Sequence, residues 1–205
     1  MERPEAKEKT LSEKLFDDRI LFLLGEVDAD NAANLVMSML YLESLAPKDD
    51  IFLFIDSPGG SITAGLSIID TMRFIQCPIW TVCIGMAASM GALILSAGTE
   101  GKRIGFPNSR MMIHQPLQYF QGVQQATQIQ IQAREIMRLR ERLNKLLAKT
   151  TKQSVERINE DTERDYWLFA EEALEYGLID CITQNRQDLS RIAKQLKPEG
   201  SSDEV

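Results

Sequence analysis

Three short, continuous apolar runs constrain this chain more than any other feature: Arg19 to Leu24 (RILFLL), Ile51 to Ile55 (IFLFI) and Trp80 to Ile84 (WTVCI). Each is short enough to read as a buried strand. Helical spacing fills the intervals. Asp30 or Asn31 can cap a helix running to about Leu45, with Ala33, Val36, Met37, Leu40 and Tyr41 along one face. Ile62 to Ile75 repeats the pattern through Ile62, Leu66, Ile69 and Met72 and leaves Phe74 off the stripe. Strand, helix, strand in this order predicts parallel crossovers with both sheet faces covered, an α/β fold.

The third run meets Gly85, then tiny residues, then Ala92 to Ala97 with the residue types of a buried helix. Ser89 stands at that junction and is expected to project from the helix's first turn, where unpaired N–H groups and the positive end of the dipole can stabilise an oxyanion. It is a candidate nucleophile. Read alone, a serine before an apolar helix is more simply a cap, and no G-x-S-x-G elbow is present. The second run leads into Asp56-Ser-Pro-Gly-Gly-Ser61, where Pro58 fixes a bend and Gly59 and Gly60 bare their backbone N–H groups. In isolation this too is only a turn. Lys102 to Phe106 and Arg110 to Ile113 read as two further strands. His114 follows the second of them and is the only histidine, so any serine, histidine, acid mechanism must use it.

Before the first run, residues 1–12 read as a charged mobile arm that packs only from Leu15 and Phe16. One domain is expected over 13–185, with a polar tail over 186–205 that ends disordered and acidic. Gln121 to Gln132 fits strand or helix equally, whereas Ala133 to Lys149 carries an apolar stripe of Ile136, Leu139, Leu143, Leu146 and Leu147 and predicts a long amphipathic helix. Ser154 is expected to cap a short helix to Asn159. Asp161-Thr-Glu-Arg-Asp165 reads as a polar loop before a helix over Ala170 to Tyr176 that Gly177 ends.

A net charge of −7 gives no basic footprint for nucleic acid and no polybasic patch for a membrane surface. The longest apolar stretch, Met86 to Ala97, falls short of the roughly 20 residues that span a bilayer. Cys77, Cys83 and Cys181 form no C-x-x-C, and with one histidine they predict no metal site. An odd, sparse cysteine set and an opening without an apolar signal core predict a cytoplasmic protein.

Ser-Pro-Gly-Gly-Ser at 57–61, Ala-Ala-Ser-Met-Gly at 87–91, Met-Ile-His-Gln-Pro at 112–116 and Asp-Thr-Glu-Arg-Asp at 161–165, in this order, make the chain resemble the ClpP peptidases from about Leu15 to Ile182. Four ordered motifs are far more specific than any one. The resemblance implies a crotonase-like fold of repeated ββα units with a protruding handle over about 117–150. It also implies a serine endopeptidase that packs as two seven-membered rings, a tetradecamer around a closed chamber. Ser89 is then the nucleophile, His114 the base and later the acid, and Asp165 the residue that orients the imidazole. Nothing in the local chemistry separates Asp165 from Asp161. The N–H groups of Gly60 and Met90 would form the oxyanion hole.

By the same resemblance Glu163 and Arg164 contact across the ring junction. Phe54, Phe74, Ile104 and Phe106 line the cleft where an ATP-driven AAA+ unfoldase of the ClpX, ClpA or ClpC type docks. Unfolded polypeptides are the implied substrates, and the peptidase itself needs no metal, nucleotide or other cofactor. Three departures point to a divergent paralogue: an arm without the family's apolar start, a handle opening (LQYFQGVQQ) about two residues longer than usual, and Thr183 at an ordinarily apolar position of the docking cleft. The rival expectation is a largely structural or latent ring subunit that co-assembles with an active sibling. An acyl-CoA enzyme of the same fold is disfavoured, since it needs no serine nucleophile at this turn.

Overall fold

The structure, a computed structural model, describes residues 9–118, 122–123, 125–185 and 187–188. The expected arm lies outside them over 1–8, as does nearly all of the tail. Thr10 closes a capping box with Glu13, accepting its N–H at 3.3 Å and donating its own to the carboxylate at 2.7 Å. Helix α1 (Leu11–Asp17) therefore begins inside the stretch read as arm. The first apolar run becomes β1 (Ile20–Leu24).

Helix α2 (Ala29–Leu45) is capped by Asp28, which accepts the Asn31 N–H at 2.8 Å, and not by Asp30 or Asn31. Its buried face is Ala32, Leu35, Met39 and Leu42. The expected stripe points outward instead, with Met37 60% and Tyr41 55% exposed. The helix carries two apolar stripes, so periodicity predicts the helix without deciding its inward side.

The chain continues through β2 (Ile51–Ser57), α3 (Ile62–Phe74), β3 (Ile79–Ala88), α4 (Met90–Ser96), β4 (Arg103–Gly105) and β5 (Arg110–Ile113). Next come α5 (Ala126–Thr151), α6 (Val155–Asp161), β6 (Tyr166–Phe169), α7 (Ala170–Tyr176) and β7 (Cys181–Ile182). The glutamine-rich stretch is thus helical from Ala126. Ser154 caps α6 as expected, accepting the Arg157 N–H at 3.1 Å, and Gly177 ends α7 at φ +89°.

Among the described residues the main layer runs β1-β2-β3-β4-β7, every pair parallel. One face of it, including Leu21, Leu23, Leu53 and Ile55, joins a core shared with α2, α3, α4 and the base of α5. Among the described residues no helix covers the other face, where the sequence pattern predicts one. There Trp80, Val82 and Ile104 are buried only by neighbouring strand and loop side chains, with Phe52 stacked on Trp80 at 5.5 Å and Phe22 on Phe54 at 5.6 Å.

Strand β3 outlasts the expected Trp80 to Ile84 because it changes partners. It pairs β4 as far as Cys83, shifts register against β2 where Asp56 Oδ1 accepts the Met86 N–H at 2.9 Å, then pairs β5 from Met86. A short second layer follows from this: the Val27–Gly60 bridge, the Ser57–Ala87 pair, the end of β3, then β5 and β6. Ser89, His114 and Asp165 stand just past the ends of its strands.

Candidate active site

Ser89 occupies the N-cap position of α4, one residue before the first turn, with φ +54° and ψ −120°. Its hydroxyl makes no capping bond, so the capping reading fails. A non-glycine residue held at positive φ costs on the order of 1–3 kcal/mol and persists only where its surroundings over-determine it. Here the Ser89 N–H donates to Met112 O at 2.8 Å, and the helix that follows is buried along its length. Strand, strained serine and helix make an elbow without its glycine signature. The turn after β2 lies directly against it. A Cβ built on Gly59 (φ +95°) would stand 2.7 Å from both Ser89 Cβ and Ala88 O, which is why that position is a glycine.

Strand registers bring the other two groups to the serine. β5 lies between β3, paired Ala88 to Met112, and β6, paired Ile113 to Tyr166 antiparallel. One rung beyond each ladder stand Ser89, His114 and Asp165. His114 Nε2 is 2.8 Å from Ser89 Oγ, and Nδ1 is 3.2 Å from Asp165 Oδ1. With Nδ1–H donated to the carboxylate, Nε2 is left to accept the serine proton. Asp161 is engaged elsewhere, accepting from Tyr176 Oη at 2.8 Å, so geometry separates the two aspartates where local sequence does not.

The segment bearing Asp165 is tied down by residues that sequence reasoning missed. Gln115 donates its N–H to Thr162 O at 2.7 Å and its side-chain amide to Glu163 O at 2.9 Å. Asn144, 1% exposed on α5, donates to Asn159 Oδ1 at 2.7 Å and lies 3.4 Å from Thr162 Oγ1. A signal existed: Asn144 is a polar residue beside the inward stripe of Leu143 and Leu147.

Two amides face the same space. Val27 donates its N–H to Gly59 O at 2.8 Å and accepts that of Ser61 at 2.7 Å, so the intervening Gly60 N–H is turned away from Val27 and meets no acceptor among the described residues. The Met90 N–H opens α4 and has no intrahelical partner. Around them is a cleft of about 610 Å³ lined by Gly59, Gly60, Ser89, Met90 and His114 together with the apolar side chains of Ile62, Leu93, Leu139 and Leu143.

The family model for Clp protease matches residues 3–186, nearly the whole chain. The chain belongs to the Clp protease family. It is therefore a ClpP-type peptidase, and the four motifs that carry the resemblance all lie within the matched span.

The remaining Clp positions scatter. Glu163 pairs with Arg140 of α5 at 2.7 Å within the chain, and Arg164 is exposed beside it. Phe54 and Phe106 are half-buried around fully buried Ile104, which supports the aromatic face from beneath and offers no surface of its own. Phe74, 78% exposed at the end of α3, is not part of that cluster, and Thr183 is 2% exposed. The altered handle opening falls partly outside the described residues. Among the described residues no His, Cys, Asp and Glu side chains gather as a metal would require, and no helix is long and apolar enough to cross a membrane.

Proposed function

We propose that this Clp-family peptidase is a serine endopeptidase acting through Ser89, His114 and Asp165. The observation that carries the reading is the continuous contact from hydroxyl to imidazole to carboxylate, 2.8 Å and 3.2 Å long, beside two amides that meet no acceptor among the described residues. His114 Nε2 takes the proton as Ser89 Oγ attacks the scissile carbonyl carbon. The oxygen turns negative and is received by the N–H groups of Gly60 and Met90, where one such donor is worth about 10²–10³ in kcat. His114 then protonates the departing amine, and water, activated by the same imidazole, releases the acyl group from Ser89. No step calls on a metal or nucleotide.

The crotonase-like reading is supported by the short second pairing that follows the first four main strands before the next helix: Val27 after β1, Gly60 after β2, the end of β3, and β5 after β4. Two stacked heptameric rings enclosing unfolded polypeptides, of one subunit kind or mixed with a sibling, agree with two surfaces. One is the outward apolar stripe of α2. The other is α5, 26 residues and about 39 Å long, with Ile129, Ile131 and Met137 exposed. The aromatic face, which no helix among the described residues covers, suits an ATP-driven unfoldase, and three free cysteines suit a reducing cytoplasm.

The test is hydrolysis of an unfolded polypeptide and a short fluorogenic peptide by the purified chain, with particle size measured by sedimentation. Ser89→Ala is expected to abolish hydrolysis and leave the particle unchanged. Hydrolysis persisting in Ser89→Ala contradicts the proposal, and an inert wild-type ring favours the structural-subunit reading.

A further inference from the structure

Glu26 lines the cleft that holds Ser89, and apart from His114 it is the only ionisable side chain among the described residues that does so. Its place follows from the strand pattern. Val27 is fully buried and bridged to Gly60, so the preceding side chain is turned to the opposite, open side. The stem of Glu26 lies against the bare α-carbon of Gly60: a Cβ built there would stand 2.9 Å from Glu26 Cγ. Its backbone is held as well, since Asn31 Nδ2 donates to Glu26 O at 2.8 Å.

The carboxylate has no cationic partner among the described residues, and it is exposed. The neighbouring carboxylate of Asp28 is turned to the Asn31 N–H at 2.8 Å, capping α2, and does not line the cleft. The same cleft is also lined by the apolar side chains of Ile62, Leu93, Leu139 and Leu143. A polypeptide entering this cleft therefore meets hydrocarbon and, among the described residues, a single carboxylate.

Resting on the reading that Ser89 cleaves polypeptides, we infer that Glu26 is a specificity-determining residue of the cleft, taking the ammonium or guanidinium of a lysine or arginine side chain near the scissile bond. The long methylene stems of these residues can lie along Gly60 while their heads reach the carboxylate. Because Glu26 is exposed, the preference is modest, about three- to fivefold, and shrinks as salt screens it.

The test uses peptides blocked at both ends, so that no terminal ammonium contributes, with lysine or the uncharged isostere norleucine placed in turn at each position flanking an apolar residue. The readout is the lysine-to-norleucine ratio of kcat/KM in the full chain, in Glu26→Gln and in Glu26→Lys. The wild-type ratio is expected to exceed one at one flanking position, to approach one in Glu26→Gln and to fall below one in Glu26→Lys.

The same peptides are bound to Ser89→Ala and to Ser89→Ala combined with Glu26→Gln, read by fluorescence anisotropy, which needs no catalysis. Lysine preference in binding without any wild-type hydrolysis keeps the Glu26 assignment and removes the proteolytic reading. Hydrolysis with a ratio unmoved by Glu26→Gln does the reverse. A change in particle size with no change in the ratio makes Glu26 a contact between copies and overturns the inference.

Discussion

Asp165 faces His114 across the first rung beyond the β5–β6 ladder, its Oδ1 3.2 Å from the imidazole Nδ1. Two residues far apart in the chain are aligned by ordinary strand pairing, with no dedicated loop. Asp165→Asn should leave the ladder and the particle intact while removing the acceptor that sets the tautomer of His114. Because the carboxylate is 63% exposed, the expected loss in kcat is about 10²–10³-fold, below the roughly 10⁴ of a fully buried counterpart. Peptide hydrolysis at fixed particle size checks this, and a loss under tenfold would remove Asp165 from the mechanism.

Gly59 has no room for a side chain. Gly59→Ala adds a Cβ 2.7 Å from Ser89 Cβ at a backbone angle of φ +95°. The variant should lose on the order of 1–3 kcal/mol in urea denaturation. It should also lose at least about 100-fold in kcat, since a displacement of about 1 Å at the proposed nucleophile is enough for that. Equal loss of stability with full activity would show that the turn yields and Ser89 does not.

Asn144 acts at a distance from the chemistry, through Asn159 and Thr162 to the segment carrying Asp165. Asn144→Leu removes both contacts, and because Asn159 is exposed and Thr162 keeps its bond to Ile158 O at 2.6 Å it should cost only about 0.5–1.5 kcal/mol. If the network holds Asp165 in place, kcat should fall and KM should change little. A change confined to stability would make Asn144 a packing residue only.

Burial is the main cause that pushes the Cys83 thiol up to about 12 from an ordinary 9.0. The folded value lies above the unfolded one, so this group's stabilisation is complete below pH 9.0 and is lost as pH rises toward about 12. One such group contributes a slope of about 1.4 kcal/mol per pH unit across that window. Denaturation of wild type and Cys83→Ala at several alkaline pH values should show the smaller slope in the variant. Parallel curves would contradict the assignment.

The parts of this protein legible in its sequence are those where local chemistry allows one answer. Runs such as IFLFI are buried strands, Ser154 and Gly177 bracket helices through capping and positive φ, and His114 is unique. Where two solutions share one pattern, sequence reasoning stalls. The two apolar stripes of α2 are equivalent until the sheet chooses one, and Asp161 and Asp165 differ only once Tyr176 claims the first. The extension of β3 to Ala88 was hidden by Gly85, which reads as a strand end but lies at the register shift, where a Cβ would stand 2.8 Å from Asp56 Oδ1. The strain at Ser89 had no signature either, because it is imposed from outside by Gly59 and Met112.

The most direct measurement is covalent trapping. The intact, assembled chain is treated with a fluorophosphonate, alone and with an unfoldase, and the adduct is mapped by mass spectrometry. The expected result is a single adduct on Ser89, lost in Ser89→Ala and slowed at least about 100-fold in His114→Ala. An assembled particle that leaves Ser89 unmodified under both conditions, or is modified at another residue, would contradict the account.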